Sequence, residues 1–81
     1  MSDATEAAVL AALAEELGRP PASLTPDLGF AEDLGVDSLD FVRVVQAVEE
    51  ASGLTLDDKE AAAARTVGAL LALVRRTRDG G

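Results

Sequence analysis

Ser38-Leu39-Asp40-Phe41-Val42-Arg43-Val44-Val45-Gln46-Ala47-Val48-Glu49-Glu50-Ala51-Ser52-Gly53 is the stretch that sets the fold class. Phe41, Val44, Val45 and Val48 fall at i, i+3, i+4 and i+7, the spacing of one buried stripe on an α-helix. Gly53 stands where helices often end in a left-handed cap. Asp37 and Ser38 are residue types preferred at a helix start, and Asp40 adds negative charge to the first turn. The pattern predicts a helix over 38–52. At 100° per residue, Leu39, Val42 and Gln46 gather on roughly the opposite side, flanked by Arg43, Glu49 and Glu50. An apolar strip ringed by charge and turned away from the core is what a transient docking site requires. Isolated surface Leu and Val are also ordinary, and helix geometry alone leaves both readings open.

Working outward, Leu10, Leu13, Ala14 and Leu17 mark a second stripe and predict a helix over 5–17. Gly18 is placed as its C-cap, and Pro20-Pro21 prevents continuation. Residues 18–37 then form a long connection punctuated by Pro20, Pro21, Pro26, Gly29 and Gly35. Connections of that length are usually functional or well packed, and Leu24, Leu28, Phe30 and Leu34 are the side chains expected to pin this one down. Beyond the central helix, Leu54 and Leu56 lead into a short acidic helix or turn, Asp57 to Ala63, with Asp57 as N-cap. Thr66 caps a last helix over 67–77, with Val67, Leu70, Leu71 and Val74 at helical spacing. Arg75, Arg76 and Arg78 read as a solvated end matched to the helix dipole, and Asp79-Gly80-Gly81 as frayed. No stretch alternates as a strand would. The expected fold is all-α, a small four-helix bundle of three main helices and a short third one with a long first loop, in one domain over 1–81.

Charge is unevenly placed. The chain has 81 residues and a net charge of −8. Between Asp27 and Glu60 ten acidic residues face only Arg43 and Lys59, so this segment alone accounts for the whole net charge. Such a field repels nucleic acid and anionic membrane and draws in basic protein surfaces. It also serves solubility, but its concentration in one segment favours a docking surface.

Chemistry is limited by what is missing. There is no cysteine and no histidine, so disulfides, thiolate metal sites and the commonest general base are excluded. The lack of cysteine fits a reducing, cytoplasmic compartment. Residues 1–17 are acidic and do not read as a signal peptide, and no apolar run approaches the ~20 residues of a membrane span. Neither a Ser-His-Asp nor a Cys-His set can be built. Gly35-Val36-Asp37-Ser38-Leu39-Asp40 lacks the second glycine of a nucleophile elbow. Asp33 to Val44 has Gly35 and Ser38 where a calcium loop needs an oxygen ligand and a glycine. The expectation is a protein that is not an enzyme and holds no metal.

What remains is Asp37-Ser38. Taken alone, such a pair is most often a helix cap. A helix N-terminus also stabilises a phosphate through its unpaired N–H groups and dipole, so a serine hydroxyl there is suited to a phosphodiester-linked group.

Phe30-Ala31-Glu32-Asp33-Leu34-Gly35-Val36-Asp37-Ser38-Leu39-Asp40 resembles the signature of acyl carrier proteins, in which DSL follows a short acidic EDLG stretch. Val48-Glu49-Glu50, then Leu56 and Asp58, then Thr66-Val67 occur in the family's order and spacing, so the resemblance covers nearly the whole chain. It implies that Ser38 is the attachment site of 4′-phosphopantetheine, transferred from coenzyme A by a phosphopantetheinyl transferase. It implies that the arm's thiol carries acyl groups as thioesters, which accounts for a carrier without cysteine. Asp37, Leu39 and Asp40 would help the transferase recognise the site. The second helix, through Leu39, Val42, Arg43, Gln46, Glu49 and Glu50, would dock acyl-loading, ketosynthase-type or other acyl-processing enzymes with basic patches. The core would shelter a short acyl chain. Weak docking suits a monomer that must leave each partner.

Departures from the family pattern are Arg43 where an acid is common, Gln46 where an apolar residue is common, Ser52 in place of a large aromatic, and the small side chains of Ala61 to Ala64. They count against housekeeping fatty-acid synthesis and leave room for a specialised pathway such as polyketide or hybrid natural-product assembly, so the expected setting is fatty acid, polyketide or related natural-product biosynthesis. A peptidyl or aminoacyl carrier of a nonribosomal peptide pathway is the nearest rival. That family usually reads GGDS, and this chain reads GVDS. An unmodified helical interaction module, with Ser38 only a cap, is the rival of another class.

Overall fold

The computed structural model describes residues 4–80. Its elements are α1 (Ala4–Leu17), a single 3-10 turn (Pro21–Ser23), α2 (Ser38–Ser52), α3 (Asp58–Ala63) and α4 (Val67–Gly80). No strand occurs among the described residues, and the one extended feature is an isolated bridge between Gly29 and Thr66. The expected small helical bundle is the fold.

The core is where the apolar stripes meet. Leu13 and Ala14 of α1, Val44 and Val48 of α2, and Val67, Leu70 and Val74 of α4 are buried as their spacing requires. Leu10, Leu17, Phe41, Val45 and Leu71 pack partly buried around them. Val9 and Leu73 are buried too, so the α1 and α4 stripes are broader than their first reading, and Val36 of the connection before α2 joins the core. Val9 lies four residues before Leu13 and occupies the centre of the α1 face, with Leu10 at its margin. No buried charged or polar side chain interrupts the described core.

Helix starts follow local chemistry. Asp57 accepts the Glu60 amide at 3.0 Å and caps α3. Thr66 Oγ1 accepts the Ala69 amide at 3.1 Å and caps α4. Gly18 and Gly53, both at positive φ, close α1 and α2.

The C-terminal end departs from expectation in two ways. First, α4 continues through Asp79 to Gly80 instead of ending near residue 77; Gly81 lies outside the described residues. No proline stops it, and Arg78 Nε donates to Asp79 Oδ1 at 3.1 Å beside the last turn. Second, the arginines are not simply solvated. Arg75 binds Glu6 of α1 through both Nε (2.8 Å) and Nη2, and Arg76 Nη2 binds Glu60 of α3 at 2.9 Å. With the helix extended, Arg75 and Arg76 lie before the last turn and meet acids from neighbouring helices. Both pairs are exposed and contribute little energy each; they link α4 to α1 and to α3 at the surface.

The long connection is ordered by its backbone. Leu24 and Phe30 are buried, and Leu28 and Leu34 are partly buried. Three main-chain bonds then hook the segment onto the start of α4. Gly68 N–H donates to Pro26 O (2.9 Å), Val67 N–H donates to Leu28 O (3.0 Å), and Phe30 N–H donates to Arg65 O (2.9 Å). Two of these bonds use first-turn amides of α4 that otherwise have no intrahelical acceptor. The approach is close: a Cβ on Gly68 would stand 2.9 Å from both the Cβ and the carbonyl oxygen of Pro26, so no larger residue fits without a shift of the loop.

Candidate functional site

Residues 29–37 carry the chain from that hook to the start of α2. Gly29 N–H donates to the Asp33 carboxylate at 2.7 Å, while Asp33 N–H returns to Gly29 O at 2.9 Å. The acidic stretch is thus a closed turn, and Asp33 is part of its frame. Gly35 takes φ +67°, in the left-handed region that a side chain disfavours. Val36 is buried, and its N–H donates to Phe30 O at 2.8 Å. This anchoring fixes where Asp37 and Ser38 emerge.

Asp37, with extended backbone (φ −87°, ψ −177°), is the N-cap of α2. Its Oδ1 accepts the Asp40 amide at 2.8 Å, and its carbonyl accepts the Phe41 amide at 2.8 Å. Ser38 is therefore the first helical residue and not the cap. It is exposed, and among the described residues no hydrogen bond occupies its hydroxyl. The Ser38 and Leu39 amides have no protein acceptor there either. A hydroxyl left free beside unpaired helix-start amides fits a covalently linked phosphate.

The residues expected to surround it sort into two groups. Leu39 (75% exposed) and Val42 (52%) are the large apolar side chains left in solvent among the described residues. Asp37, Asp40, Arg43, Gln46 and Glu50 are exposed with them. Glu49 differs. It is partly buried, and its Oε2 accepts the Leu56 amide at 2.8 Å. Its carboxylate ties the end of α2 to the α2–α3 connection, where Leu56 is buried, so this acid has a structural contact that the other expected docking residues lack. Sequence spacing carried no signal of this bond, which crosses a loop over seven residues. Asp33 was missed for a similar reason, since its partner is a main-chain amide four residues back.

Phe30 and Phe41 meet edge to face, with ring centroids 5.3 Å apart, so Phe41 closes space between the first loop and α2. An open cleft of about 340 Å³ lies between α1 and α2, lined by Ala12, Glu15, Glu16, Ala47, Glu50 and Ala51. Its three carboxylates make it a poor shelter for an acyl chain.

The geometry thus leaves an exposed serine hydroxyl, without a hydrogen bond among the described residues, at the first turn of the central helix. A family model described as "Phosphopantetheine attachment site" matches residues 7–74. The chain belongs to that family. Its members carry covalently attached 4′-phosphopantetheine; they are carriers, not catalysts in themselves, and work with a phosphopantetheinyl transferase and with partner enzymes. No described helix is long and apolar enough to cross a membrane.

Proposed function

We propose that this chain is an acyl carrier protein, a single carrier domain whose 4′-phosphopantetheine is attached to Ser38. The observation that carries the reading is the exposed, unbonded Ser38 hydroxyl at the start of α2 in a chain of the phosphopantetheine attachment family. Once bound, the arm supplies a thiol that holds an acyl group as a thioester. The protein's own residues do the rest. Asp37 caps α2 and so fixes the direction in which Ser38 points. The Ser38 and Leu39 amides are positioned to hold a phosphate oxygen. Leu39 and Val42 offer an apolar contact to the transferase and to acyl-processing enzymes, and Asp40 and Glu50 meet basic groups at its rim.

The acyl rather than the peptidyl reading rests on Gly35-Val36-Asp37-Ser38, where peptidyl carriers usually read GGDS. Incubation with coenzyme A and a broad-specificity transferase, followed by intact mass measurement, tests attachment. The mass should rise by one phosphopantetheine in the wild type and stay unchanged in Ser38→Ala. No gain with several transferases would leave a helical interaction module. For the loaded protein, acceptance of malonyl or short acyl groups in preference to aminoacyl groups supports the acyl assignment, and the reverse preference overturns it.

A further inference from the structure

The exposed face of α2 has an order of charge that its net acidity conceals. From the N-terminus it presents acids and apolar side chains in alternation (Asp37, Leu39, Asp40, Val42), then a cation (Arg43), a neutral amide (Gln46) and an acid again (Glu50). Arg43 is the only basic residue on the helix. The positions one turn away on its own row, Leu39 and Ala47, carry no charge. Asp40, three residues before it, forms no ion pair with it among the described residues. Arg75, Arg76 and Arg78 each bind a carboxylate; Arg19, Lys59 and Arg65 are unpaired like Arg43 among the described residues, but none of them lies on α2 beside the exposed apolar strip. Arg43 thus keeps its five N–H donors free, beside the apolar strip and within a segment of eight net negative charges.

A partner surface that is basic throughout suits Asp40 and Glu50 but sets like charge against Arg43. We infer that Arg43 is a specificity-determining residue, and that the partner enzyme it selects carries a carboxylate within an otherwise basic rim. At 1.5 Å rise per residue, that carboxylate lies about 7.5 Å along α2 from Ser38, with a basic group roughly 10 Å further on, opposite Glu50. A guanidinium binds a carboxylate through paired N–H bonds, so the match is one of geometry as well as sign. Like charge at the same point excludes competitors. The inference rests on the carrier reading, because it requires α2 to be the surface that partners meet.

The test uses a broad-specificity phosphopantetheinyl transferase with a basic docking rim, and variants in which each rim Lys or Arg is changed singly to Glu. Loading of Ser38 is followed by mass for wild type and Arg43→Glu. With the unmodified transferase, KM should fall about fivefold for Arg43→Glu while kcat holds. One rim variant should reverse this order, loading the wild type with the lower KM. Thermal melting of Arg43→Glu should match the wild type, since Arg43 is exposed and its side chain makes no hydrogen bond or ion pair among the described residues. Equal KM values for both carriers with every transferase variant would overturn the inference and leave the carrier reading intact. Failure of every transferase to add the arm would overturn the carrier reading itself.

Discussion

At the start of α2 the carboxylate of Asp37, not the hydroxyl of Ser38, accepts the Asp40 amide. Two substitutions that look equivalent in the sequence should therefore behave differently. Asp37→Ala removes a cap and should lower unfolding free energy by about 0.5–2 kcal/mol. Ser38→Ala replaces the first helical residue with a better helix former and should stay within about 0.5 kcal/mol of wild type. Urea denaturation of both variants checks this. A large loss in Ser38→Ala would mean that the hydroxyl carries structural weight. The same logic separates Glu49 from Glu50. Glu49→Ala leaves the Leu56 amide without its acceptor and should cost about 1–3 kcal/mol, whereas Glu50→Ala should change little. Faster hydrogen exchange at Leu56 in Glu49→Ala alone would identify the lost bond. Both the Asp-Ser pair and the Glu-Glu pair were visible as candidate residues. Their division of labour was not, because it depends on which atom meets which amide.

Among the elements, what the sequence could announce was local. Gly53 after a valine stripe ends α2, Asp57 and Thr66 begin α3 and α4, and each lies at the residue its chemistry suggests. What it could not announce was contact between segments distant in the chain. The hook of residues 26–30 onto α4 is main chain to main chain, so no side-chain pattern encodes it beyond the smallness of Gly68. Arg75 meets Glu6 across 69 positions, a pairing that dipole arguments on α4 alone could not contain. The hook makes its own prediction. Gly68→Ala places a Cβ 2.9 Å from Pro26 and should cost about 1–3 kcal/mol through overpacking. The loss should appear as a lower melting temperature and weakened exchange protection at Val67 and Gly68. Unchanged protection at both amides would count against the close approach.

For the molecule as a whole, charge and size act together. A chain of 81 residues buries only about 60% of its unfolded surface, which leaves a narrow margin of stability. Ten acids between Asp27 and Glu60 repel one another, while the ion pairs of α4 are exposed and contribute little. Screening should relieve more repulsion than it removes attraction. Raising sodium chloride from 0.05 to about 0.5 M should increase the melting temperature, and a decrease would show that the exposed ion pairs outweigh the acidic segment.

The hook of the first loop onto α4 also bears on how such a protein diverges. A bond from Gly68 N–H to Pro26 O, or from Val67 N–H to Leu28 O, is indifferent to the side chains of the acceptor residues. The hook beneath Ser38 is thus made by main-chain atoms, and the side chains that help hold the platform, Phe30, Asp33, Val36 and Asp37, are distinct from Leu39, Val42, Arg43, Gln46 and Glu50, which stand in solvent. Mutation is free to rewrite the text on that face without disturbing the page, and a descendant of this chain can change allegiance to new enzymes while keeping its scaffold.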